Sequence, residues 1–398
     1  MIEYKSKAYY RVTLSLALGA FLIFCNLYLF QPMLPELAEQ FSASAFQINW
    51  VFAITSLLLS VSLIPWAVYS ERNGRRRVML MSLFSLPLVA VVMMLSSSLV
   101  LLVAARALLG ICLAGYLAVG VAYLVEELSE RAFTHAIAIY VAANSIGGIG
   151  GRLFGGMLLE WGTWQIAVGA MGLLTLAGAL LVTVLLPQQR HFKPKTGLLK
   201  HHNRAVLKHF SQRPLWTAML IGGINFALFV NLYTVMGFRL VAAPHNLPVG
   251  IASMIFLCYL AGTFSSSLSS KWMRLGSTSA GIGIGTTIML VGIVVAYIDH
   301  LAAMVLGLLL VSFGAFFSHT LAYAWTSQKA KTGKATAVAL YLVHYYVGGS
   351  LGGFWLIYCW QQGAWLGVML GSAPLIGMLL ILGFSLEKMR PQQIAPSP

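Results

Sequence analysis

Two arginines, Arg106 and Arg152, lie deep inside long apolar stretches of this sequence. Placing a guanidinium at mid-membrane depth costs about 2.5–3.5 kcal/mol on insertion scales, so each must face a protein interior or a wet cavity. A guanidinium offers a planar fork that matches a carboxylate. Two such forks with no acid at the same depth describe a cavity of positive potential, suited to an anionic or carbonyl-rich solute. Bonded to backbone carbonyls instead, Arg106 would be structural. Asn26, Tyr140, Asn144, Asn231, Tyr233, Tyr341 and Tyr345 complete the candidate solute-binding lining. Buried amides and phenols need internal partners, so some of these serve as helix glue.

The acids are Asp299 and nine glutamates, and none falls at the centre of an apolar stretch. A fixed deep carboxylate is therefore excluded as a proton carrier. The titratable groups left near the interior are His319 and His344, with Glu126 and Glu127 at a rim. An unperturbed histidine pKa of about 6.5 suits a proton relay, although a buried histidine also serves as an ordinary hydrogen-bonding group. Glu126 and Glu127 read equally as a latch with the basic loop Arg75–Arg77. Cys25, Cys112, Cys258 and Cys359 are widely spaced in or beside apolar stretches, with no CxxC or Cys/His metal spacing. They read as buried free thiols, and neither a metal site nor a cofactor is expected.

The elements that must position these residues follow from composition. Of 398 residues, 59% are hydrophobic and 9% charged, too few charges to wet a globular surface, which carries about 25%. Apolar stretches long enough to cross ~30 Å of hydrocarbon run at about 12–31, 46–69, 78–96, 99–124, 136–158, 164–186, 215–237, 249–269, 279–298, 301–324, 335–358 and 365–385. These are spans 1 to 12. With the N-terminus inside, all but three of the 25 lysines and arginines fall on the same side; the exceptions are Arg106, Arg152 and Arg239. Basic loops stay in the cytoplasm, so both termini are expected there. The net charge of +15 is then a topology signal, and no nucleic-acid partner is expected. The first apolar stretch is too long for a cleaved signal peptide and lacks its small-residue site, so it reads as an anchor.

The longest polar segment, 187–214, divides the chain into six-span halves, 1–186 and 215–398. Within it apolar and basic residues alternate, as in an amphipathic helix on the inner leaflet or a solvated linker. The halves echo each other. Phe24, Asn26 and Tyr28 in span 1 match Phe229, Asn231 and Tyr233 in span 7. Tyr140, Gly147, Gly148 and Gly151 in span 5 match Tyr341, Gly348, Gly349 and Gly352 in span 11, at a constant offset of 201. The fold expected is an all-α membrane protein of twelve transmembrane helices in two pseudo-symmetric six-helix bundles, with a site between repeats as in many secondary transporters.

Several motifs sharpen this. The loop Glu71-Arg72-Asn73-Gly74-Arg75-Arg76-Arg77 resembles the signature loop of the major facilitator superfamily, with Glu71 for the usual Asp and Ala67 and Tyr69 for the usual Gly and Leu. That resemblance assigns Glu71, Arg72, Gly74, Arg75 and Arg76 to a conformational switch. Arg106 and Gly110 resemble the R-x-x-x-G element of its proton-coupled antiporters. Gly147-x-x-x-Gly151-Arg152-Leu153-Phe154-Gly155-Gly156 resembles their G-x-x-x-G-P-x-x-G-G element, with Arg152 in place of Pro. Small residues at that spacing let helix backbones approach, which makes Gly147, Gly151, Gly155 and Gly156 helix-packing positions. Gln31-Pro32-Met33-Leu34-Pro35 resembles the P-x-x-P element closing span 1. Tyr123-Leu124-Val125-Glu126-Glu127 and Asn144-Ser145-Ile146-Gly147-Gly148 resemble the YnfM-like permeases of bacterial inner membranes, as do Gly151-Arg152-Leu153 and Arg190-His191-Phe192.

The resemblance implies a monomeric, proton-coupled exporter of a small solute (a drug, sugar or organic anion), working by alternating access in the bacterial inner membrane. An importer or symporter on the same scaffold remains the alternative. A membrane enzyme would need an embedded acid pair, metal ligands or an activated nucleophile, and the sequence assembles none.

Overall fold

The computed structural model describes residues 1–192, 194, 212–330 and 334–388. Most of the expected amphipathic connector lies outside the described residues. The described residues are mainly helical, and among them Ile2 and Leu128 form the one isolated β-bridge. Spans 1 to 6 are Lys7–Tyr28, Trp50–Asn73, Arg75–Met94, Leu99–Glu127, Glu130–Glu160 and Trp164–Leu185. Spans 7 to 10 are Arg213–Val241, Val249–Leu275, Thr278–Val295 and Leu301–Lys329. The last helical run, Lys334–Lys388, is two helices joined at a kink where Gly363 has φ −158° and Ala364 has φ 47°. Among the described residues eleven helices are long and apolar enough to span a membrane, and dividing the last at its kink makes twelve. Large apolar side chains face outward on many of them: Leu88, Leu173 and Ile381 are each about 70% exposed. Water would not tolerate so much contiguous apolar surface; lipid does.

Helix boundaries follow local chemistry. Ser6, Ser98 and Ser277 accept hydrogen bonds from Tyr9, Leu101 and Ala280 backbone N–H groups at the starts of spans 1, 4 and 9, as N-cap residues do. Gly74 separates spans 2 and 3 with φ 90°, a left-handed backbone that glycine adopts without a Cβ penalty. Grouped by contact, Leu232–Leu257 joins the described part of 1–201 in one compact unit, and the described parts of 202–231 and 258–398 form the other.

Close helix packing within each unit comes from small residues. In the first, a Cβ on Gly110 of span 4 would strike the Thr55 carbonyl of span 2. In the second, Gly285 and Gly314 press on each other's backbones, as do Gly292 and Gly307, which seats span 9 on span 10. With lipid on both sides of the comparison, association rests on such packing instead of apolar burial.

Candidate functional site

Arg106 is fully buried on span 4. Its Nε donates to the Val51 carbonyl of span 2 at 2.9 Å, and its two Nη atoms donate to the Asn26 and Leu27 carbonyls of span 1 at 3.2 and 3.0 Å. Span 1 ends at Tyr28, so these two carbonyls belong to its last turn and lack intrahelical partners. Arg106 is a C-cap supplied from another helix, with its positive charge at the negative end of the span 1 dipole. The Phe30 ring covers the guanidinium at 4.8 Å. The fork is thus engaged by backbone, the structural alternative for this residue.

Arg152, 1% exposed on span 5, is held differently. Its Nε donates to Gln31 Oε1 at 2.7 Å and its Nη1 to the Gly148 carbonyl at 2.7 Å. The guanidinium stacks over Tyr28 at 3.7 Å and lies 4.8 Å from the Phe256 ring, and Phe256 in turn stacks on Tyr233 at 5.6 Å. Gln31 passes the contact on, donating to Thr234 Oγ1 at 2.9 Å. Span 5 approaches span 1 closely enough for this because of its glycine stripe. A Cβ on Gly147, Gly151 or Gly155 would collide with the carbonyls of Phe21, Cys25 and Leu29 in turn, and one on Gly156 would meet Ser253. Gln31, Thr234 and Tyr28 were not read as site residues from sequence. The signal available was an amide at the apolar end of span 1, directly before Pro32.

Asn26 donates to its own helix at Leu22 and to Thr175 of span 6 at 2.8 Å. Asn231 donates to Ala227 and to the Gly349 carbonyl of span 11 at 2.8 Å, and its Oδ1 is buried without a partner. The two asparagines are not structural equivalents, which corrects the echo seen in sequence. Gly147 sits on Phe21 and Gly151 on Cys25, while Gly348 sits on Gly223 and Gly352 on Ala227. The contact register therefore relates spans 1 and 7 by an offset of 202, whereas the Phe-x-Asn-x-Tyr match needs 205. Three residues are about 4.5 Å along a helix, enough to give each amide different neighbours. The offset of 201 between spans 5 and 11 does match their packing.

In the second unit the Tyr341 hydroxyl lies 3.0 Å from His319 Nδ1. Tyr345 packs on His319 at 4.4 Å and stacks on Phe226 at 3.9 Å, and Tyr323 meets the Tyr341 ring edge-on. This brings His319, Tyr341 and Tyr345 into one aromatic and phenolic cluster. His344 stands apart from that pairing. Its Nδ1 lies 2.8 Å from the Leu340 carbonyl, and it borders an otherwise apolar cavity of about 370 Å³ between spans 7, 11 and 12, beside Leu220, Trp355 and Leu375. In the first unit, Tyr140 is buried with its hydroxyl against Gly120, and Asn144 is half-buried with its Oδ1 unpartnered.

The loop between spans 2 and 3 and the glutamates at the end of span 4 form a second cluster. Arg75 donates from Nε and Nη2 to Glu126 Oε1 at 3.1 and 3.0 Å, touches the Ser70 hydroxyl, and lies 3.9 Å from Glu71. Glu127, 1% exposed, takes a different partner from the one read in sequence. It accepts from the Arg190 and His191 backbone N–H groups at 2.9 and 3.0 Å and lies 3.1 Å from His191 Nδ1. Arg76 donates to the Thr183 and Leu186 carbonyls at 2.9 and 3.0 Å, and Arg11 to the Val184 and Leu185 carbonyls at 2.9 and 3.2 Å. The open carbonyl end of span 6 is thereby capped by two arginines. Arg72 is exposed.

Among the described residues no group of three or more His, Cys, Asp or Glu is arranged to hold a metal ion. What the arrangement provides is a buried set of polar and aromatic groups in each unit, Arg152 with Gln31 in the first and His319 with Tyr341 in the second.

Known proteins resemble this chain in sequence and in fold. The chain is 32% identical over 376 residues to the inner membrane transport protein YnfM of Escherichia coli, covering 93% of this chain and 90% of that one. It is 24% identical to the chloramphenicol resistance protein CraA of Acinetobacter baumannii, covering 82% and 80%. The fold superposes with a TM-score of 0.80 on a bacterial homologue of the human lysosomal transporter Spinster, at 17% identity and covering 98% and 99% of the two chains. The Major Facilitator Superfamily profile matches residues 16–353, and with that match and these relatives the chain belongs to that superfamily of multi-pass membrane transporters.

Proposed function

We propose that this protein exports a small solute from bacterial cells in exchange for protons. Alternating access follows from rocking of the halves 1–186 and 215–398, with 187–214 as connector. The observation that carries the antiport reading is the seam between spans 5 and 1. The glycine stripe of the antiporter-type motif lies directly on the span 1 backbone, and its variant position, Arg152, bonds the glutamine that precedes Pro32. A sliding or tilting of that seam changes what the Arg152 fork can reach. The name of the relative CraA, a resistance protein, supports export, and the name of YnfM supports an inner-membrane location. The excess of basic residues on one side supports cytoplasmic termini.

Within this reading Arg152 is the anion-facing group, because a solute carboxylate can replace the neutral Gln31 amide with a charge-assisted bond. Arg106 positions span 1. His319 with Tyr341 is the proton-handling pair, since it is the deep titratable side chain joined to a hydroxyl that can pass a proton on. The unit of transport is the monomer.

Purified protein in liposomes, given a pH jump with candidate organic anions, drugs and sugars, tests this. Solute movement opposite to the proton gradient is expected for wild type, with Arg152→Gln abolishing it while the variant still reconstitutes. Solute movement in the same direction as protons would establish a symporter instead. Movement indifferent to the pH jump would remove proton coupling.

A further inference from the structure

A cavity of about 620 Å³ opens at the basic end of span 3, between the loop joining spans 2 and 3 and the segment that follows span 6. Arg76 and Arg77 line it with the amide of Gln188, while Leu80, Met81 and Phe84 form its other wall, and among the described residues no carboxylate lines it. The nearby acid Glu126 is bonded to Arg75 and Gln189. Arg76 already holds the end of span 6. Arg77 is exposed and has no hydrogen bond or ion pair to any described residue. The cavity is therefore a charged recess in which one guanidinium fork is free.

The apolar wall decides what fits. Span 3 presents an exposed stripe at helical spacing, Met81, Leu88, Val92 and Leu95, which are 42%, 70%, 42% and 74% exposed, and Arg77 stands one turn before its first residue. A helix face of that kind in a membrane-spanning chain lies against acyl chains, and the basic loop at its end stands at headgroup level. A ligand seated here has an anionic, hydrogen-bonding head and an apolar body continuing down span 3. The geometry points to a binding site for one anionic phospholipid, its phosphate on the Arg77 fork with the Gln188 amide, and its acyl chains along Met81 and Leu88. Basic pockets between transmembrane helices at a membrane surface hold such headgroups. The site is separate from the proposed solute path and does not depend on transport direction.

The test uses the purified full-length protein titrated with phosphatidylglycerol or phosphatidylcholine, counting bound lipid by native mass spectrometry. Wild type is expected to retain one phosphatidylglycerol in preference to phosphatidylcholine. Arg77→Gln should weaken that retention about fivefold, the worth of one basic residue at a membrane surface. Arg72→Gln, an exposed cation of the same loop that does not line the cavity, should leave it unchanged. Equal weakening in both variants would show diffuse attraction by the loop and overturn the site, as would unchanged retention in Arg77→Gln. Displacement of the lipid by excess inorganic phosphate would show a free-anion site in its place. Retention through that challenge supports the lipid.

Discussion

Arg106→Lys isolates geometry from charge. Both side chains carry one positive charge into the same buried position, and the more strongly hydrated ammonium costs more to bury, which adds to any loss of bonds. Reach differs too. Arg106 places Nε on span 2 and both Nη atoms on the last turn of span 1, at 2.9, 3.2 and 3.0 Å. A lysine ammonium is one compact point charge and can serve the carbonyls of one helix or the other. At least one of the three bonds is lost, and a hydrogen bond to a charged group is worth about 1.5–3 kcal/mol. The expected destabilisation is therefore about 1.5–3 kcal/mol or more, read as a lower midpoint when the detergent-solubilised protein is heated and the folded fraction measured. Transport should fall in proportion to the loosened span 1, with the affinity for solute unchanged. A lysine variant that melts with the wild type would refute the cap. One that keeps wild-type stability and loses solute affinity would show Arg106 to be a solute ligand.

Gly151→Val places side-chain atoms on the Cys25 backbone and should cost about 1–3 kcal/mol of stability or more, the range for overpacking; Gly283→Ala, which meets nothing within 4 Å, should be neutral in the same thermal assay. The Arg75–Glu126 pair has side-chain exposures of 11% and 27%, so a double-mutant cycle with Arg75→Gln and Glu126→Gln should return a coupling near 1 kcal/mol at most, shrinking as salt is raised; a coupling of several kcal/mol would contradict that estimate. His319→Gln should uncouple solute movement from the pH jump while leaving counterflow exchange of labelled solute intact, and Tyr341→Phe should do so in part; pH-driven transport at the wild-type rate in His319→Gln would remove the histidine from the proton path.

The twelve spans were legible because crossing hydrocarbon demands long apolar runs. The break between spans 11 and 12 was legible too. Its backbone was not, since the residue with positive φ is Ala364, one of the side chains least suggestive of a left-handed turn. The deep arginines stood out, but their partners did not. Backbone carbonyls carry no side-chain signature, and the two that Arg106 holds are free only because span 1 ends at Tyr28, a boundary that sequence placed at about residue 31 from the apolar length. The Phe-x-Asn-x-Tyr echo misled for a related reason. Similar side chains at similar depths need not share a register, and only the glycine contacts fix which turn of span 7 corresponds to which turn of span 1.

The placement of arginine in this protein has a common physical cause. Arg106 caps the end of span 1, and Arg11 and Arg76 together cap the end of span 6. A helix that ends against lipid or protein leaves four carbonyls without partners and a partial negative charge. Only a long side chain with several directed donors can answer both across an interhelical gap. Arginine meets that need better than lysine, whose ammonium offers no fork. Four consecutive-loop cations, Arg72, Arg75, Arg76 and Arg77, thus divide by geometry. Arg75 pairs with an acid and Arg76 with a helix end, leaving Arg72 and Arg77 exposed. Replacing the whole loop by lysines would preserve the topology signal, which counts charge, and should weaken the span 6 cap, which depends on shape. Proteolysis or hydrogen exchange at the end of span 6 would read that difference directly, and equal protection in the two loops would show that charge alone is enough.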